Sequence, residues 1–257
     1  MKRVIILIAA LTMTSAAFAQ TEAPVVFDTH GDNLGISIAG FNISLGKDDR
    51  AAVKQKPKRV VTNFIGLSFG ANVLSYEDNY GNWAEENNFM TDKTSAYRIG
   101  VEVMGVEVSL DRKSNVFFRA SLNNSNDFFS FKNPMTLIND EAGALMPSPI
   151  TGDMKKSRMV ASYLGVGAGF GFNISKVRLN LDFNVDALCG ARAKYKCKDT
   201  GKTKYDVSGL NNIRYRTGAS ITVDDFGVYV DYSLTPLFRQ GVGNDGRILS
   251  IGVRAGF

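Results

Sequence analysis

The chain has 257 residues, with 30 Lys and Arg against 25 Asp and Glu, one His and two Cys. Its formal charge of +5, about +3 without Lys2 and Arg3, is too small to point to nucleic acid. Two thiols and one distant imidazole do not make a metal site, so neither a metal nor another cofactor is expected.

At the N-terminus Lys2 and Arg3 precede an apolar run over 4–11, and Ala17-Phe18-Ala19 fits a small-x-small cleavage site. The spacing predicts an export signal over 1–19, cut between Ala19 and Gln20. A lead-in over 20–59 follows. It holds two short alternating runs, Leu34-Ile36-Ile38 and Phe41-Ile43-Leu45, around Gly40. Residues 47–59 are charged and nearly free of large apolar side chains. They read as a solvated periplasmic linker, with a basic contact patch for an acidic partner as the alternative. No run of about 18 apolar residues occurs, so no membrane helix is predicted.

From residue 60 onward the hydropathy alternates with period 2, the mark of a strand with two unlike faces. The first segment, 61–73, puts Ile65, Leu67, Phe69, Ala71 and Val73 on one face and Gly66, Ser68, Gly70 and Asn72 on the other. After a polar stretch over 74–95, the second segment (96–110) slips phase at Met104-Gly105, which implies a β-bulge. The third runs over 116–124, and 125–156 reads as long and irregular. The fourth, 157–173, alternates Val160, Leu164, Val166, Ala168, Phe170 and Phe172 with Gly165, Gly167, Gly169 and Gly171. The fifth, 177–195, is followed by a polar loop over 196–211. Three more segments complete the chain, at 213–223, 226–234 and 249–257.

Eight segments of spanning length, joined by alternately long and short connections, predict an eight-stranded antiparallel transmembrane β-barrel over 60–257. An all-β barrel of this outer-membrane type turns its apolar face to lipid and keeps the polar face inside. The short connections place both termini in the periplasm and the long loops outside. Partners expected from this reading are outer-membrane lipid and the barrel assembly machinery, which would engage the last strand and its terminal Phe257. Other envelope or secretion proteins would meet the loops. No nucleic-acid partner is expected.

The order of the segments resembles the PorT-like outer-membrane β-barrel proteins of Bacteroidetes. The resemblance is carried by 232–238 (YSLTPLF), the Gly241-Val242-Gly243 loop and the closing strand, and by Ser157, Tyr163 and Leu164 leading into the fourth segment. It covers most of the exported chain. It implies an eight-stranded barrel, and the family's namesake is implicated in type IX protein secretion. No catalytic residues carry over.

On the inward parity stand Arg98, Arg119, Arg178, Arg214, Arg216 and Arg254, with Glu102, Glu107, Asp182, Asp186 and Asp231 opposite. An interior of eight strands is just wide enough for side chains to fill it. The expectation is therefore a polar plug, with a small pore as the lesser alternative. The glycines of the fourth segment would make room for the arginines. Barrel enzymes generally centre proton transfer on an imidazole near the outer rim. His30, in the lead-in, reads instead as a solvated residue, and no enzyme is expected. Gly165–Gly171 repeats every second residue, unlike a dinucleotide fingerprint, and Gly201-Lys202-Thr203 lacks the upstream glycine of a phosphate loop. Cys189 and Cys197 sit eight residues apart, about 26 Å in an extended strand, too far for a disulfide unless the loop folds back. Tyr195, Tyr215, Tyr232, Phe238 and Phe257 are candidates for interfacial aromatic girdles.

Overall fold

The computed structural model describes residues 25–30, 33–38, 41–45, 60–75, 94–111, 115–131, 133–141, 144–199, 201–243 and 245–256. The chain divides into two units, Met1–Lys56 and Pro57–Phe257. In the first, β1 (Val25–His30), β2 (Asn33–Ile38) and β3 (Phe41–Leu45) pair in sequence as an antiparallel meander. The two runs flanking Gly40 are its second and third strands. The predicted signal, its Ala19-Gln20 cut, the linker over 47–59 and the terminal Phe257 lie outside the described residues.

The second unit begins with β4 (Val60–Ser75), β5 (Thr94–Ser109), β6 (Val116–Phe131), β7 (Met135–Asn139) and β8 (Leu145–Pro149). It continues with β9 (Met154–Ile174), β10 (Val177–Cys197), β11 (Gly201–Asp206), β12 (Ile213–Val223), β13 (Phe226–Ser233) and β14 (Arg247–Ala255). β10, β12, β13, β14, β4, β5, β6 and β9 are hydrogen-bonded in that order, and β9 pairs back to β10. All neighbours are antiparallel. The fold is a closed eight-stranded antiparallel barrel, with no helix among the described residues.

Its faces are inverted relative to a soluble protein. Leu67, Phe69, Val166, Phe170, Leu181, Ile221, Val228 and Ile251 are exposed on the outside, while arginines and carboxylates are buried inside. Such an apolar belt is stable only against hydrocarbon, so the barrel is transmembrane. One end is closed by tight turns. Ser175-Lys176 and Asp224-Asp225 are two-residue hairpin loops, and Ser175 (φ 60°) and Asp224 (φ 53°) adopt the left-handed backbone at their first position. The longer connections after β6, β10 and β13 lie at the other end.

Three sequence expectations change. The slip expected at Met104-Gly105 is a bulge one residue earlier: pairing steps from Glu102 with Asn123 to Met104 with Leu122, leaving Val103 extra. The stretch 125–156 is not irregular. β6 runs on to Phe131, and β7 and β8 form a hairpin in which Leu137 pairs with Pro147. Nor is 196–211 a bare loop, because β11 pairs with residues 192–197 of β10. These extensions stand above the lipid belt, where the outer face needs no apolar residues, so the hydropathy pattern stops before the strand does. A second bulge between Leu188 and Gly190 leaves Cys189 extra.

Candidate functional site

Alternation carries every polar residue of the expected inward set into the barrel. Arg98, Glu102, Glu107, Arg119, Asp186, Arg214, Arg216 and Arg254 are buried, and Arg178, Asp182 and Asp231 are partly so. A further carboxylate joins them. Asp127, near the loop end of β6, is 0% exposed. It belongs to the segment taken as loop from sequence, although Arg119, Ser121, Asn123, Ser125 and Asp127 share one parity and could have revealed it. With Asp127 the interior holds, among the described residues, six arginines and six carboxylates, where the sequence reading counted five carboxylates.

The loop-side charges form a closed ring of alternating sign drawn from five strands. Asp127 accepts hydrogen bonds from Arg98 Nε at 2.7 Å, from Asn72 Nδ2 at 2.9 Å and from Arg214. Arg214 Nε donates to Asp186 at 2.9 Å, and Arg216 donates to Asp186 and to Asp231, each at 2.6 Å. Arg98 Nη1 closes the ring on Asp231 at 3.5 Å. The Arg214 guanidinium lies over the Tyr163 ring, 3.8 Å from its centroid.

The turn-side charges form an open chain of alternating sign. Arg178 Nη1 donates to Glu107 at 2.9 Å, and Arg119 lies between Glu107 and Glu102. Arg254 bridges Glu102 and Asp182, each at 3.8 Å, and donates to Ser220 Oγ at 2.8 Å. Isolated charges in this setting would be costly, whereas alternating pairs with shared hydrogen bonds are mutually compensated.

The glycines of β9 admit these side chains, though not the arginines expected from sequence. A Cβ at Gly165 would strike the Asp186 carboxylate, one at Gly167 the Asn184 amide, and one at Gly171 the Phe117 ring. The space serves the acid and amide groups of the adjacent strand and one aromatic ring.

Above the ring the lumen turns apolar. Phe129, Phe131, Met159 and Tyr163 from the barrel wall pack with Leu137 and Leu145 of the hairpin, Leu210, Leu237, Phe238 and Ile248. Asn211 Nδ2 donates to the Pro236 and Phe238 carbonyls at 2.8 Å, and Arg239 N–H donates to Gly209 O at 2.8 Å. Gly209 has φ 88°, and a Cβ there would lie 2.8 Å from Val242 Cγ1. Phe238, expected in a lipid girdle, is instead 1% exposed in this cap. Tyr215 does face outward, stacked on Phe183 at 6.2 Å between centroids, whereas Tyr195, also expected in a girdle, shares the inward parity of Ala193 and Cys197 and stacks on Tyr205.

Between ring and chain remains a cavity of about 70 Å³ lined by Ser68, Arg98, Glu102, Asp182, Arg216, Tyr229 and Asp231. A space of that size takes a few waters, one needing about 10–15 Å³. The Tyr229 hydroxyl lines it and has no hydrogen-bond partner among the described residues. No group of three His, Cys, Asp or Glu among the described residues is placed for a metal ion. Cys189 is exposed and Cys197 buried on the same strand, both unpaired. His30 ends β1 in the N-terminal unit.

No protein family and no curated protein matches the sequence. Solved structures similar to the chain include Ail, the attachment invasion locus protein of Yersinia pestis, at 11% identity and a TM-score of 0.32, covering 75% of this chain and 97% of that one. The outer membrane protease OmpT of Escherichia coli is also similar, at 11% identity and a TM-score of 0.30, covering 80% and 99%. A mutant porin of Rhodopseudomonas blastica matches at 11% identity, covering 77% and 100%, with a TM-score of 0.19. The barrel assignment rests on the strand pairing itself. This chain is an integral outer-membrane-type barrel.

Proposed function

We propose that this protein is a plugged outer-membrane barrel with a structural or interaction role, rather than a channel or an enzyme. The observation that carries this reading is the double closure of the lumen: a charge-balanced ionic plug below and an apolar cap above. Conduction needs a continuous hydrated path, and the cavity inside the plug, between ring and chain, is only about 70 Å³. The asymmetry of the connections supports an orientation with the long loops outside and both termini periplasmic. Alternation in β14 suits it as the strand offered to the barrel assembly machinery. Refolded protein in a planar bilayer should give no stable conductance steps; a persistent large channel overturns the plug.

A second reading, an accessory of type IX secretion, is favoured by the resemblance at 232–238. In this chain Tyr232 and Ser233 end β13 and the residues after them supply Leu237 and Phe238 to the cap, which accounts for the motif as part of the fold. Secreted proteins of wild type and a deletion strain decide it. Cargo trapped in the periplasm supports the accessory role, and unchanged secretion removes it.

A further inference from the structure

β9 and β10 are 21 residues each, about 70 Å if fully extended. A barrel strand tilted by about 40° needs only about 33 Å of that length to cross a 25 Å belt. The loop-side ends of these strands therefore project beyond the membrane, and β11 is added to them there. On this three-stranded extension two rows of cations lie side by side. Arg158 pairs with Lys194, which pairs with Lys204; Lys156 pairs with Lys196, which pairs with Lys202.

Directly opposed like charges weaken a sheet, so a fold with no use for them would alternate their sign. Here no carboxylate among the described residues forms an ion pair with any of the six. Of the acids nearby, Asp206 pairs with Arg192 at 3.2 Å and Asp153 with Lys198 at the margins, and Asp199 lies in the turn between β10 and β11. Partial burial, then Arg158, Lys202, Lys204 and Lys156, holds the Lys194 ammonium below the usual lysine range. Lys156, Lys196, Lys202 and Lys204 are exposed.

The rows occupy the outer face. Their parity on β9 continues through Val160 and Ser162 to Leu164, Val166 and Phe170 of the lipid belt. Arg158 stands six residues from Leu164, about 20 Å along the strand and about 15 Å in height. Lysine stems reach several ångströms back toward the membrane from there. Strand spacing and the two-residue repeat set the six cations on a grid of about 10 by 7 Å.

We propose that this grid binds the multiply phosphorylated head of an outer-leaflet glycolipid, holding it against the barrel wall. The inference rests on the orientation proposed above, because only that orientation brings the grid to the outer leaflet. A ladder of ammonium groups at headgroup height suits several phosphates on one molecule better than a single carboxylate, since each phosphate accepts from two rows.

The test uses the full exported chain refolded in neutral detergent, titrated with short-chain lipopolysaccharide whose phosphates are intact, and read by native mass spectrometry. Wild type should bind, and the same lipopolysaccharide stripped of phosphate should bind about tenfold more weakly or not at all. The K196Q/K202Q/K204Q variant should lose about tenfold in affinity and stop distinguishing the two lipids, while K196R/K202R/K204R should behave as wild type. K202Q/K204Q alone changes only β11, which lies outside the barrel closure, and covers the case in which the triple variant fails to fold. Equal binding by the glutamine variants, or by dephosphorylated lipid, overturns the proposal. A separate arm labels Lys202→Cys, with Cys189 and Cys197 changed to Ser, using a membrane-impermeant maleimide on intact cells. Labelling supports the outer-leaflet source. Labelling only after permeabilisation overturns the orientation and that source together, whatever the titration in detergent shows.

Discussion

Replacing the Asp127 carboxylate with an amide leaves two guanidinium groups, Arg98 and Arg214, facing a neutral side chain where no solvent reaches. Removing one partner of a buried ion pair costs about 3–5 kcal/mol, and Asp127→Asn should lower barrel stability by that amount in urea titrations followed by gel mobility. Asp127→Asn with Arg98→Gln should recover part of the loss, because one orphaned charge goes with it. The β9 glycines give a second test. Gly171→Ala drives a methyl into the Phe117 ring and should cost about 1–3 kcal/mol, with Phe117→Leu relieving it. Residue identity on the inward face was readable from sequence because Arg and Asp cannot stand in hydrocarbon, and strand parity assigns them a side. What those glycines accommodate was not readable, because it depends on which neighbour crosses opposite each one. Gly165 faces Asp186 only through the register of β9 against β10.

At the scale of elements, the cap joins segments that alternation alone does not connect. The β7–β8 hairpin, the strip 207–210 and Leu237-Phe238 beyond β13 meet only in three dimensions. Phe238→Ala should cost about 3–5 kcal/mol and speed amide hydrogen exchange at 207–210 and 135–149, while the turn-side halves of the strands stay protected. Uniform loosening of the whole barrel would contradict a locally packed cap. The same elements mark where sequence reading ended. The membrane writes a period-2 signal only where one face meets lipid. β6 beyond Asn124 and β10 beyond the belt carry mostly polar residues outside, while Phe129, Phe131 and Ala193 pack into the cap inside. The hidden part of the interior, Asp127 included, lies in that unmarked stretch.

For the whole molecule, six arginines face six carboxylates inside among the described residues, so their formal charges balance. Buried pairs are screened far less than exposed ones. Raising salt from low to about 1 M should leave the unfolding midpoint nearly unchanged, whereas binding at the exposed lysine rows should fall steeply; a large salt-induced drop in stability would mean that salt ions reach the plug from bulk solvent. Ser250 of the last strand donates to Asn72 of the first barrel strand at 2.6 Å, and Asn72 donates to Asp127. The anion that orders the loop-side ring is thus completed only when the sheet's two ends meet, 178 residues apart along the chain. Until that moment the arginines are short of partners and need water around them. The nascent sheet must therefore stay wet on its inner side while its outer side enters lipid, and its last water leaves as the final strand zips against the first.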